Sequence, residues 1–115
     1  MKYIIFLISL IPLTSQAEVY VRDYLKMKSS PEMVTYLGNV GMGFGWANTE
    51  LESLNQRPLY CENQALALNG QNFVVLLNDE IANQDRSKVI NGKTYLDMPI
   101  ELALLRKLRK TFPCK

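Results

Sequence analysis

Four of the six glycines and the single tryptophan fall between Pro31 and Leu54, in the stretch PEMVTYLGNVGMGFGWANTELESL. At about 100° per residue, Met33, Tyr36, Leu37, Val40, Phe44, Ala47, Leu51 and Leu54 share one stripe wide enough to face a core. The stretch therefore reads as one long helix. Ser30 supplies a hydroxyl cap, and Pro31 occupies the first helical position, where a missing N–H costs nothing. Gly38, Gly41 and Gly45, together with Asn48, lie beside the stripe and cut a shallow furrow. Each glycine in a helix interior costs about 0.8–1 kcal/mol relative to alanine. Four of them cost on the order of 3–4 kcal/mol, so a neighbouring helix must pack closely into the furrow to offset them. Trp46 lies away from the stripe; a second layer of core is favoured there over a dimer contact.

The glycines do not spell a phosphate loop. Gly41-Met42-Gly43-Phe44-Gly45-Trp46 lacks the last glycine of a dinucleotide fingerprint and follows no strand, and no Gly-Lys-Ser/Thr is present.

The first 17 residues read as an export signal. Lys2 gives a short positive start, Tyr3 to Leu13 is almost wholly apolar, and Ser15-Gln16-Ala17 places small residues at the −3 and −1 cleavage positions. As a helix the apolar run spans roughly 16 Å, about half a bilayer core. Cleavage after Ala17 leaves a single domain from Glu18 to Lys115, expected in the periplasm. No cysteine follows the cut, which argues against a lipoprotein. Without Lys2 the 13 Lys and Arg become 12, against 11 acidic residues. So even a balance points to neither nucleic acid nor an anionic membrane as partner. Histidine is absent, which removes the commonest general base and the commonest metal ligand together.

Glu18 to Lys28 suits a first helix with Tyr20, Tyr24 and Met27 on its buried side, although Val19 and Val21 fit a strand equally well. Asn55-Gln56-Arg57-Pro58 ends the long helix, and Leu59-Tyr60-Cys61 runs extended. Ala65 to Leu68 is short and apolar. Asn69 caps a third helix from about Gly70, with Phe73, Leu76, Leu77 and Ile81 buried and Glu80 on the same spacing. Asn91-Gly92 suits a two-residue hairpin turn between Val89-Ile90 and Thr94-Tyr95; an exposed loop is the alternative. Met98-Pro99 opens the last helix, with Asp97 just outside it at the positive dipole end. Ile100, Ala103, Leu104 and Leu108 form its stripe, widened by Leu102 and Leu105. Arg106, Lys107, Arg109 and Lys110 crowd its final turns, where cations suit the dipole.

Cys61 and Cys114 are the two cysteines. In an exported chain an even pair reads as a disulfide. Redox catalysis asks for Cys-x-x-Cys and zinc for four ligands, and neither is present. The expected fold class is mainly α: a small single-domain bundle of about four helices with one disulfide and a short β-hairpin before the last helix.

The order Tyr36-Leu37-Gly38, Gly41, Gly45, Ala47-Asn48, Pro58-Leu59-Tyr60-Cys61, Leu68 leading into a helix, Pro99-Ile100 and Phe112-Pro113-Cys114 resembles the Tai/Rap immunity proteins of type VI secretion. The resemblance covers nearly the whole mature chain. It implies a small, mostly helical, disulfide-bonded periplasmic protein that binds a cognate peptidoglycan amidase toxin and blocks its catalytic cleft, often as a homodimer. It also implies that Cys61 and Cys114 are the family's staple. Many members carry a proline shortly after the first cysteine, and Glu62-Asn63-Gln64 has none, so the resemblance assigns no subfamily or toxin.

The expected function is therefore steric inhibition without catalysis, cofactor or metal. Candidate contact residues are Arg86, Asn91, Gly92, Lys93 and Tyr95 on the hairpin, with Arg57 as a weaker choice. The alternative is a periplasmic chaperone-like binding protein. An enzyme has little support: Glu50 and Glu52 lie two apart and do not share a helix face, and the serines lack a histidine to activate them.

Overall fold

In a computed structural model of the chain, residues 18–27, 30–62 and 68–115 are described. The leader assigned to residues 1–17 and most of the apolar run from Ala65 lie outside that set. Among the described residues the fold is four helices and one disulfide: α1 (Val21–Met27), α2 (Pro31–Ser53), α3 (Gly70–Ala82) and α4 (Ile100–Thr111). No helix among them is long and apolar enough to cross a membrane.

Helix α2 begins as its sequence dictates. The Ser30 side chain accepts a hydrogen bond from the Met33 amide at 3.2 Å, and Pro31 opens the first turn. It ends one residue before Leu54. Asn55 turns to φ 55°, its N–H donates to Glu52 and the Gln56 N–H to Leu51. This is a left-handed cap in which asparagine takes the place usually held by glycine. Met33, Leu37, Gly41 and Asn48 are buried, whereas Val40, Phe44, Ala47 and Leu51 are half-buried and Leu54 is exposed.

The glycine furrow receives the start of α3, but only over part of its length. A Cβ on Gly41 would stand 2.0 Å from the Phe73 ring, and one on Gly70 would stand 2.3 Å from the Val34 carbonyl oxygen. At Gly38 a Cβ would make ordinary contact with the Gly70 backbone at 3.6 Å. At Gly45, expected to pack like the other two, nothing among the described residues lies within 4 Å. Close approach is thus concentrated at Gly41 and Gly70, where helix backbone faces ring and carbonyl.

Helix α3 is capped by a reciprocal pair: Asn69 Oδ1 accepts from the Asn72 amide and Asn72 Oδ1 accepts from the Asn69 amide. Phe73, Val74, Leu77 and Ile81 are buried, and Leu76 is half-buried. Glu80 is also buried, and its carboxylate is held by Lys110 Nζ at 2.8 Å and by Gln84. That pairing is what permits a charge on the inner face.

Before α1 the chain is extended, and the two readings of Glu18 to Lys28 both hold in sequence. Tyr20 bridges antiparallel to Pro99, with Val21 N–H donating to Met98 and Ile100 N–H to Val19, each at 2.9 Å. The bridge fixes where the helix starts, so Val21 and Tyr24 are buried while Tyr20 and Met27, expected inside, are exposed. Tyr24 donates its hydroxyl hydrogen to Asn78.

Helix α4 buries Ile100, Ala103, Leu104 and Leu108 as expected, and Leu102 is exposed instead of widening the stripe. The Tyr36 hydroxyl donates to Glu101 in its first turn. Asp97 caps the turn before α4 rather than α4 itself. At the far end of α4, Cys61 and Cys114 are joined, with Cα atoms 5.0 Å apart. The Cys61 N–H donates to Phe112. The buried Asn48 amide reaches across from α2, accepting from Leu59 N–H at 2.8 Å and donating to the Tyr60 carbonyl at 3.3 Å. Tyr60 is buried beneath this junction.

Candidate functional site

Between α3 and α4 every residue from 85 to 93 is exposed. The tip is a two-residue turn. Asn91 at φ 53° and Gly92 at φ 76° both lie in the left-handed region, the requirement of a type I′ hairpin. Ile90 and Lys93 exchange both backbone hydrogen bonds across it, at 2.8 and 3.0 Å. The pairing stops at that single bridge. Thr94 and Tyr95, expected to continue the second strand, instead enter a 3-10 turn over Tyr95–Asp97.

That short turn anchors the projection. Thr94 Oγ1 accepts from the Leu96 amide and Asp97 accepts from the Thr94 amide, while Arg22 of α1 pairs with Asp97. The Thr94 N–H chiefly, with Arg22 behind it, holds the Asp97 carboxyl below its ordinary 3.8, against a smaller opposing effect of burial. On the other limb, the Ser87 hydroxyl and amide both donate to Asp85 Oδ1 at 2.6 and 2.9 Å, which lowers the Asp85 carboxyl in the same way. Both limbs of the projection are therefore braced by local hydrogen bonds.

The structure gathers Arg86, Asn91, Gly92 and Lys93 on this exposed segment. Tyr95 belongs to its foundation. It is half-buried against the core, and burial pushes its hydroxyl up to about 12. Arg57 is elsewhere, at the disulfide end of the molecule, where it donates to the Cys114 carbonyl oxygen. Two apolar members of the projection were missed by the sequence reading as contacts: Val89 and Ile90 are 62% and 60% exposed. Their β-branched character marked them as strand residues, and a strand of one bridge leaves them uncovered.

Between the turn and α4 runs an open groove of about 680 Å³. A second groove, about 830 Å³, follows α2 past Gly38, Gly45 and Met42. Trp46 lines it and is 67% exposed, so it forms no second layer of core among the described residues.

The chain matches no family model, no curated protein and no solved structure.

Proposed function

We propose that the chain is a periplasmic immunity protein that binds a peptidoglycan amidase delivered by type VI secretion and blocks its cleft without chemistry of its own. The observation that carries this reading is the fully exposed 85–93 projection, preformed by a type I′ turn and braced at its base by the Thr94–Asp97 cap and Arg22. A plug acts by filling space, so it gains from being rigid before it binds, because ordering cost is then not taken from the affinity. The Cys61–Cys114 disulfide suits an oxidising compartment, and the ordered residues that resemble the Tai/Rap proteins supply the partner class.

The test is co-purification from periplasm with the protein encoded next to it, followed by assay of that protein's wall-hydrolase activity. Replacing 86–93 with a glycine-serine segment, and leaving Thr94 in place, is expected to abolish inhibition while the melting temperature stays near that of the parent. Full inhibition by the replaced protein would overturn the assignment of the projection. Absence of any complex with a wall-cutting hydrolase would overturn the function.

A further inference from the structure

The groove behind the projection has a charge pattern that its own residues leave incomplete. Each acid lining it is satisfied within the chain: Glu80 by Lys110, Asp97 by Arg22 and the Thr94 amide, Asp85 by Ser87. The cations are held more loosely: Lys88 lies within electrostatic reach of Asp85 and Lys93 of Asp97, but without a contact ion pair. Among the described residues Lys88, Lys93 and Arg106 line the groove and make no contact ion pair. The polar contact recorded for Arg106 is to the Met98 sulfur, at 3.9 Å. The Tyr95 hydroxyl, buried beneath the same lining, has no hydrogen-bond partner among the described residues. Beside these groups stand apolar surfaces that water covers poorly: Ile90 at 60% and Leu102 at 39% exposed.

We propose that this groove receives an acidic segment of a protein partner, a carboxylate taken by Lys93 and Arg106 and an aliphatic neighbour laid on Ile90 and Leu102. Arginine presents a fork that matches a carboxylate. An unpaired cation beside apolar surface favours a ligand that brings both an opposite charge and a hydrocarbon face. A nucleic acid would bring charge without the aliphatic part, and three cations without a contact ion pair among the described residues offer it little phosphate neutralisation. The inference deepens the inhibitor reading: the projection enters the partner while the groove behind it accepts a piece of the partner in return.

The test uses the mature chain and a short labelled peptide of glutamate and leucine, followed by fluorescence anisotropy at low salt. The glutamate peptide is expected to bind, and its glutamine counterpart to bind about tenfold more weakly or worse. Lys93→Glu with Arg106→Glu should weaken the glutamate peptide by a similar factor. Lys26→Glu with Lys115→Glu, which changes the net charge equally on exposed positions outside the groove, should leave it unchanged. Equal weakening by both pairs of reversals would overturn the proposal, because the effect would then be one of overall charge. Tighter binding of a labelled oligonucleotide than of the glutamate peptide would also overturn it. If the chain binds no wall hydrolase yet shows the peptide pattern, the inhibitor reading falls and the groove stands. If the hydrolase complex forms and neither the peptide nor the reversals matter, the groove falls and the inhibitor reading stands.

Discussion

The ring of Phe73 on α3 occupies the space that a side chain at Gly41 on α2 would need. Alanine at Gly41 would gain about 1 kcal/mol of helix propensity and force the two helices apart, an overpacking cost of about 1–3 kcal/mol. Gly41→Ala is expected to lower stability on balance, and Gly43→Ala or Gly45→Ala, where a Cβ meets nothing among the described residues within 4 Å, to raise it by about 0.5–1 kcal/mol. Urea titrations of the three variants check the opposite signs; a stabilised Gly41→Ala would contradict the packing.

The disulfide closes a loop spanning a sequence separation of 53 residues. The chain-entropy relation assigns such a loop about 4 kcal/mol, a large share of the roughly 5–15 kcal/mol that hold a domain together. Cys61→Ser with Cys114→Ser should therefore be marginally folded. Comparing its denaturant midpoint with that of the oxidised parent measures the share, and a change below about 1 kcal/mol would show that the segment at 59–61 is held by other means.

Asn48 is buried on α2 and satisfies one backbone donor and one backbone acceptor of the crossing segment. Asn48→Ala leaves both groups without a side-chain partner, at a cost of about 1–3 kcal/mol. Asn48→Asp keeps the acceptor for Leu59 N–H but loses the donor to Tyr60, so it should destabilise too. Hydrogen exchange of the Leu59 amide reports the lost bond directly: it should speed up in the alanine variant and stay slow in the parent.

Asp97 has a folded-state pKa below 3.8, so its charged form is favoured by folding. Its contribution is complete above the unfolded value and disappears as pH falls through the folded one. Asp97→Asn should melt below the parent at neutral pH, and the gap should close as acid titrates the carboxylate through its lowered folded-state pKa. Melting curves across that range check it. A gap that persists in acid would assign the effect to hydrogen-bond geometry rather than charge.

At the alkaline end the sign reverses. Burial raises the Tyr24 and Tyr95 hydroxyls from 10.0 to about 12, which means that folding favours the neutral phenol. Their contribution holds below about pH 10 and is lost through about 12. In an absorbance titration of tyrosinate these two should ionise late, and Tyr95→Phe should remove part of the late phase.

Much of this architecture is written in local signals. Ser30-Pro31, Asn69 and Asn91-Gly92 act through hydrogen bonds and backbone preferences within a few residues, so the starts of α2 and α3 and the turn could be read from the chain. The Tyr20–Pro99 bridge could not, because its partners are far apart in sequence and neither carries a mark of the other. With that bridge went the correct inner face of α1, which buries Val21 in place of Tyr20. Thr94 and Asp97 form a cap whose spacing was visible, but β propensity at Thr94-Tyr95 pointed to a strand. Periodicity likewise gave the stripe of α4 but not its width: Leu102 lies on the edge facing the groove. The outward position of Trp46 follows from its angle on α2, since aromatic size alone does not decide burial.

The Tyr20–Pro99 bridge has a practical corollary. Residues immediately after Ala17 are woven into the footing of the projecting turn through Val19, Tyr20 and Arg22. An affinity handle or fluorescent fusion attached at Glu18 would therefore sit beside the surface proposed to meet a partner. The opposite terminus, tethered through Cys114 at the other end of α4, is the place to add cargo when contact is being measured.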